Sequence, residues 1–288
     1  MIFSYHTHSE FCDGRATAAK MAEEAYAAGY DILGFSSHAP LPFDTTWNLK
    51  WPRYAAYGKA IEALKTEWAP KGMTVLLGLE MDYIDGIASA RDESYKQVDL
   101  DYRIGSVHFV TKLEGGAFTV DEGGEAFARH VTENAGGDAG LIWKEYYENL
   151  TAMIRRGGFD IVGHFDLVKK NNVQGRFFDE NSQAYLSAAF DAIEEASRHD
   201  VIVEINTGGV ARKKTKEPYP SLALLKRMRE KSVRITLGDD AHSPDHLGNY
   251  QKLALDMAEA AGYDELWYIG ADRSWKPISR QQAGRSER

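Results

Sequence analysis

The chain has 288 residues and is 43% hydrophobic, enough for a sizeable core in one large α/β barrel or two small domains. Its 34 basic and 43 acidic residues leave a net charge of −9, which argues against a general nucleic-acid binder but not against a phosphorylated small substrate held by metals and a local basic cluster. A single cysteine, Cys12, rules out an intrachain disulfide and fits a reducing cytoplasmic setting; no secretion signal is visible and no apolar run is long enough to span a bilayer.

Taken in chain order, residues 2–5 read as a short strand and 17–28 as a helix, with Gly29 as its stop. A second strand covers 32–36, a proline-bearing loop 39–51, and a helix 53–68 closed by Pro70 and Gly72. The run 74–79 is wholly apolar, the type of strand buried on both faces. Strands follow at 102–107, 160–163, 201–205, 234–237 and 266–269, and helices at 143–156, 182–198, 221–231 and 250–261. The glycine-rich acidic stretch 114–140 reads as an insertion with a short helix. This alternation predicts a parallel sheet with helices outside, with seven strands up to residue 237. We expect a single α/β domain over 1–279, a TIM-like barrel with a loop insertion around 112–140, and a polar, frayed tail over 280–288. A doubly wound open sheet is the runner-up, since it also binds ligands at carboxyl strand ends, though it gathers groups from so many strands less readily.

A chemical pattern recurs where the apolar runs stop. The first strand leads into His6-Thr7-His8 and then Asp13; later ones lead into His38, Glu80, His108, His164 and Asp239-Asp240-Ala241-His242. In a barrel the carboxyl ends of all strands converge on one face, so these residues predict one site. His6 and His8, two apart on an extended chain, point the same way. Imidazole and carboxylate donors together suit Zn, Mn or Fe rather than Ca or Mg. A lone histidine at a strand end is as often a surface hydrogen-bonding residue as a ligand; it is the repetition after nearly every strand that favours a metal site. His130 and His199 read as surface residues, His246 as a neighbour of the site rather than a ligand, and Cys12 as a small buried residue rather than a thiolate ligand.

These motifs resemble the PHP family of metal-dependent phosphoesterases over nearly the whole chain. Several stretches resemble its histidinol-phosphate phosphatase branch: Tyr5-His6-Thr7-His8 with Phe11-Cys12-Asp13-Gly14, Gly78-Leu79-Glu80-Met81-Asp82-Tyr83, Ile104-Gly105-Ser106-Val107-His108-Phe109, and Gly163-His164-Phe165-Asp166-Leu167-Val168-Lys169-Lys170. Glu204-Ile205-Asn206-Thr207 and Tyr219-Pro220-Ser221 fit as well. The resemblance implies a distorted seven-stranded barrel and two to three divalent transition metal ions. One ion would take His6, His8, Glu80 and Asp239, a second Glu80, His108 and His164, and a third Asp13, His38 and His242. Many family members have histidine at the position of Asp13, so this chain's third site has a harder donor.

The implied reaction is hydrolysis of a phosphomonoester, histidinol phosphate above all, with metal ions lowering the pKa of the attacking water. Glu80 would bridge ions, and the leaving-group proton would come from Asp239, His242 or a metal-bound water. Arg212, after Gly208-Gly209, and Lys169, just past His164, are the candidates to clamp phosphate, with Lys170, Lys213, Lys214 and Lys216 enlarging the basic cluster. A lysine at 169 would act as a point charge without an arginine's fork. Phe43, Trp47, Trp51 and Tyr54, with Tyr5, Tyr83 and Phe109 beside ligands, could close over a flat ring or simply pack as structure. Other readings are a PHP enzyme acting on a different monoester or a nucleotide, an amidohydrolase-like C–N hydrolase, and a non-catalytic metal-binding protein. Glu80 disfavours the amidohydrolase reading, in which a carbamylated lysine often bridges the metals. A polymerase-associated proofreading role lacks both nucleic-acid contacts and a polymerase region.

Overall fold

The computed structural model describes residues 1–284. Its strands are β1 (Phe3–Ser4), β2 (Ile32–His38), β3 (Thr74–Asp82), β4 (Tyr102–Ser106), β5 (Phe109–Val110), β6 (Phe118–Thr119), β7 (Ile161–Val162), β8 (Ile202–Asn206), β9 (Arg234–Gly238), β10 (Glu265–Ile269) and β11 (Trp275–Ser279). Its α-helices are α1 (Ala18–Ala27), α2 (Trp51–Trp68), α3 (Gly124–Glu133), α4 (Ala139–Arg156), α5 (Gln183–Arg198), α6 (Gly208–Ala211), α7 (Leu222–Glu230) and α8 (Gln251–Ala260).

Seven strands form one parallel sheet in the order β1-β2-β3-β4-β7-β8-β9. A parallel bridge between Thr7 and Ala241 ties its two edges together. There His8 N donates to Ala241 O at 2.9 Å and Ala241 N donates to His6 O at 3.2 Å. The sheet is therefore a nearly closed barrel and not an open doubly wound sheet. β5–β6 and β10–β11 are antiparallel pairs outside it.

The outer helices form for local reasons. Thr17 caps α1 by accepting from Lys20 N at 3.1 Å, and Met21, Ala22 and Ala25 bury one face. α4 begins earlier than the apolar pattern suggests, because the Asp138 side chain accepts from Gly140 N at 2.8 Å and starts a turn before Ile142. β5 follows β4 directly and pairs with β6, which with α3 falls inside the stretch 112–140.

Inside the barrel, side chains fill the space. Tyr102 is fully buried, and its hydroxyl donates to the Phe35 carbonyl at 2.9 Å and to that of Tyr5. Gly78 makes room for it: a Cβ there would lie 2.5 Å from the tyrosine ring. Each fully buried large apolar side chain contributes roughly 1.5–3 kcal/mol, so the packed interior gives the rigid frame on which strand ends are held.

Residues 280–284 do not fray. Arg280 donates to Tyr263 O at 3.2 Å, Ala283 is buried, and Gly284 N donates to Met1 O at 2.8 Å. The rest of the expected tail, residues 285–288, lies outside the described residues. Among the described residues no helix is long and apolar enough to cross a membrane.

Candidate metal centre

The barrel brings the strand-end donors together. His38 closes β2 and is the register partner of Glu80 on β3, so the two side chains are neighbours by construction. His38 Nδ1 lies 2.9 Å from Glu80 Oε2. His164 Nε2 lies 2.8 Å and His108 Nε2 3.5 Å from Glu80 Oε1. His6 Nε2 is 3.2 Å from Glu80 Oε2. Glu80, 1% exposed, thus has four imidazoles within 3.5 Å, with His8 Nε2 next at 3.7 Å.

Four overlapping donor groups result: His6 with Glu80 and His164; His38 with Glu80 and His108; His6 with His8 and Asp240; and His8 with Asp13, His38 and His242. Within each group the donor atoms lie within 4.8 Å of one another. Metal–donor bonds of ~2.0–2.1 Å in a tetrahedron place donors roughly 3.3 Å apart, so these spacings suit small transition-metal ions. The buried atoms His6 Nε2, His8 Nε2, His38 Nδ1 and Glu80 Oε2 have no hydrogen-bond partner among the described residues. Orphaned polar atoms this deeply buried are costly unless a ligand takes them, and here they converge.

The electrostatics follow. Burial pushes the Glu80 carboxyl up, but His38, His6 and His108 outweigh it and hold it well below the ordinary range. Burial, with His242 and His38, pushes His8 down to about 3 and leaves its ring neutral. His38 and His108 rise to about 9, because Glu80 and Asp13 in one case, and Asp82 and Glu80 in the other, overcome burial. Protons and metal ions compete for these atoms.

Two expectations fail. Asp239 does not join the donor groups. Its side chain accepts from the Tyr30 hydroxyl and from Gln251 Nε2 at 3.3 Å, on the side away from the histidines. Asp240 takes the place foreseen for it, with Oδ1 3.3 Å from His8 Nε2 and 3.4 Å from His242 Nδ1. Adjacent residues on an extended chain face opposite ways, and Asp240 adds a left-handed turn (φ 50°). The environments differ accordingly. Burial lifts Asp239 to about 6 against its neutral partners, whereas Arg212 and His6 overcome burial at Asp240 and hold it well below the usual range.

The second failure is Lys169. It is 5% exposed and turns away from the site, to Asp166 Oδ2 at 2.9 Å and Glu217 Oε1 at 3.3 Å. The neighbouring Lys170 lines the cavity instead and pairs with Asp121 at 3.0 Å. A 3-10 turn over Leu167–Asn171 decides which lysine points where, and a lysine pair carries no periodic signal of that.

Glu204 and Asp82 were not among the residues that the strand-end pattern singles out. Glu204 accepts from His164 N at 2.9 Å and from Asn206 Nδ2 at 2.7 Å, and it meets His6 Nδ1 at 2.9 Å. Gly238 gives it space, since a Cβ there would fall 2.1 Å from Glu204 Oε2. Asp82 Oδ1 meets His108 Nδ1 at 2.7 Å. Each carboxylate takes one ring nitrogen and so aims the other, Nε2, at Glu80. Both had a signal: Glu204 is a charge inside an apolar strand, and Asp82 shares a face with Glu80 two residues earlier.

A cavity of about 1010 Å³ opens over the donors. Arg212 borders it beside Asp240, donating to Asp240 Oδ2 at 2.8 Å and Asp240 O at 2.7 Å. Trp47 stands edge-on to His38 (ring centroids 4.8 Å) and stacks on Phe109 (5.9 Å), which meets Phe43 at 5.8 Å. Trp51 instead stacks on Tyr95, and Tyr5 and Tyr54 are core residues. His246 lines the cavity, His130 stacks on Phe118, and His199 pairs with Glu195. Cys12, half-buried, has its Sγ 3.5 Å from His8 Nδ1; burial pushes the thiol up to about 11, which keeps it protonated.

Comparison with known proteins gives the same frame. The "Probable histidinol-phosphatase" of Deinococcus radiodurans is 32% identical over 84% of this chain and 87% of its own length. The histidinol-phosphatase of Bacillus subtilis is 28% identical over 84% of this chain and 94% of its own. A solved histidinol phosphate phosphatase from Lactococcus lactis, complexed with zinc, L-histidinol and phosphate, superimposes with a TM-score of 0.70 at 22% identity, covering 96% of this chain and 100% of that one. The sequence profile of the PHP domain matches residues 4–208, well over half the chain, and with the barrel and its strand-end donors this establishes that the chain belongs to the PHP domain family.

Proposed function

We propose that the chain is a metal-dependent phosphomonoester hydrolase that converts L-histidinol phosphate to L-histidinol and phosphate in histidine biosynthesis. The observation that carries this reading is the set of converging, buried, unpartnered donor atoms beneath an open cavity bordered by Arg212. The substrate comes from the curated relatives of the same family, which match this chain over most of its length.

His6, His8, Asp13, His38, Glu80, His108, His164, Asp240 and His242 are the residues that would hold the ions. Bound divalent ions supply Lewis-acid charge at the phosphoryl group and a more acidic water. The chain's own residues do the rest. Glu204 and Asp82 keep the His6 and His108 rings oriented. Arg212 offers its guanidinium to phosphoryl oxygens, and Lys170 replaces Lys169 as the second cation at the cavity wall. Glu80 remains the central carboxylate of the site. Asp239, walled off behind the donors, drops out as proton donor for the leaving oxygen, which leaves His242, at the cavity wall, and a water as the candidates. Trp47, Phe109 and Phe43 cover the donors on the His38 side and limit water. We place the enzyme in the cytoplasm, in keeping with a biosynthetic role and a free Cys12.

The test is phosphate release from histidinol phosphate beside a panel of other phosphomonoesters, with and without chelator and with added Mn or Zn. Chelator-sensitive turnover with preference for histidinol phosphate is the expected outcome. Metal-dependent turnover of other esters alone would keep the site and remove the substrate. No hydrolysis by fully loaded protein would sink the enzymatic reading.

A further inference from the structure

We propose that Asp121, a carboxylate that the insertion places in the cavity wall outside the donor groups, anchors a protonated amino group, so that the site selects amine-bearing phosphomonoesters. This deepens the function proposed above, and rests on its reading of the cavity as a phosphomonoester site.

Several carboxylates border the cavity, and most are already engaged. Asp13, Glu80 and Asp240 belong to the donor groups. Asp44 has a 98% exposed side chain and pairs with Lys50 at 3.2 Å, so water screens it. Glu122 turns to Thr119 and His130, both at 3.4 Å. Asp121 differs from all of these. Its side chain is 30% exposed, it lies just after the β5–β6 pair, and its ion pair with Lys170 uses Oδ2 only. A carboxylate has about four acceptor sites, so one lysine leaves room for a second cationic donor. Asp121 lines the same cavity as the donors His38, Glu80, His108 and His164.

The charge pattern of the cavity points the same way. Arg15, Arg212, Lys213 and Lys214 border it, all cationic and suited to a phosphoryl dianion. An ester carrying phosphate alone would find no use for a fixed anion nearby, and repulsion from Asp121 would weaken its binding. An ester that also carries an ammonium a few bonds from phosphorus gains a charge-assisted hydrogen bond there and turns the repulsion into discrimination. The aromatic group of Trp47, Phe109 and Phe43 then remains for the apolar or flat part of the alcohol.

The experiment compares kcat/KM for histidinol phosphate and for its counterpart lacking the amine, and for 2-aminoethyl phosphate against ethyl phosphate, in wild type and Asp121→Asn. Wild type is expected to favour the amine in each pair by about 10- to 100-fold, the range of a charge-assisted hydrogen bond. The readout is the ratio within each pair, and Asp121→Asn should reduce it at least tenfold. A wild type without amine preference, or a variant that keeps the wild-type ratio whatever its absolute rates, overturns the proposal. If wild type rejects histidinol phosphate yet prefers 2-aminoethyl over ethyl phosphate, and the variant loses that preference, the substrate assignment falls and the role of Asp121 stands. Should Asp121→Asn fold poorly or turn over too slowly, Asp121→Ser and calorimetric binding of L-histidinol against its amine-free alcohol, with inorganic phosphate present, yield the same ratio: its loss in the variant supports the role of Asp121, and its persistence overturns it.

Discussion

The donor groups and the cavity wall above them are built on opposite plans. The donors stand at or just past the ends of barrel strands, are mostly buried, and are held by register: His38 opposite Glu80, and Thr7 bridged to Ala241 between two pairs of donors. The wall comes from loops and short turns: 39–50 with Trp47, the short strand β5 with Phe109, the insertion with Asp121, and the segment after α6 with Arg212. A rigid sheet supplies chemistry that must be placed to a fraction of an ångström, whereas loops supply selection, which can vary without disturbing the frame.

If that division holds, the largest loss comes from Glu80, the central carboxylate that two of the four donor groups share. Glu80→Gln keeps the shape but removes the charge from the middle of four imidazoles, and should lower both bound metal and kcat, the latter by about 10³-fold. Metal analysis beside phosphate release checks it; full metal and full rate in this variant would break the comparison at its centre. The next test separates neighbours. Asp240→Asn should cost about 10²-fold in activity together with metal affinity. Asp239→Asn should retain metal and lose instead about 1–3 kcal/mol of stability through its Tyr30 and Gln251 contacts, read by urea unfolding. The reverse outcome would restore Asp239 as a ligand. The smallest effect belongs to the wall: Trp47→Ala should raise KM about 3- to 10-fold and leave metal content unchanged. A loss of metal there would mean that the wall helps hold the donors in place.

The same division explains what could be read from the sequence. An apolar run that ends in histidine is visible in one dimension, because the core demands the run and only chemistry explains its end. Hence His6, His8, His38, His108 and His164 stood out, and so did the alternation that places them on one barrel face. Direction is not visible in that way. Asp239 and Asp240 differ by one position, and the backbone angle of Asp240 decides which of them meets the histidines. Lys169 and Lys170 differ by one step of a 3-10 turn, and the loser forms a buried ion pair with Asp166 and a second pair with the more exposed Glu217. Asp121 had no local signal, since an acid in an acidic insertion looks like solvated surface until the fold sets Lys170 beside it.

The bridge between Thr7 and Ala241 has a consequence for the order in which the protein comes into being. It joins residues more than 230 positions apart, and His6, His8, Asp240 and His242 flank it. A growing chain that has emerged through β8 holds His6, His8, His38, Glu80, His108 and His164, but no strand yet closes the ring and Asp240 is still absent. Long-range contacts of this kind form late, after loop closure has been overcome. Closure of the barrel and completion of the donor set therefore coincide, since Asp240 and His242 follow directly on the strand that closes the ring.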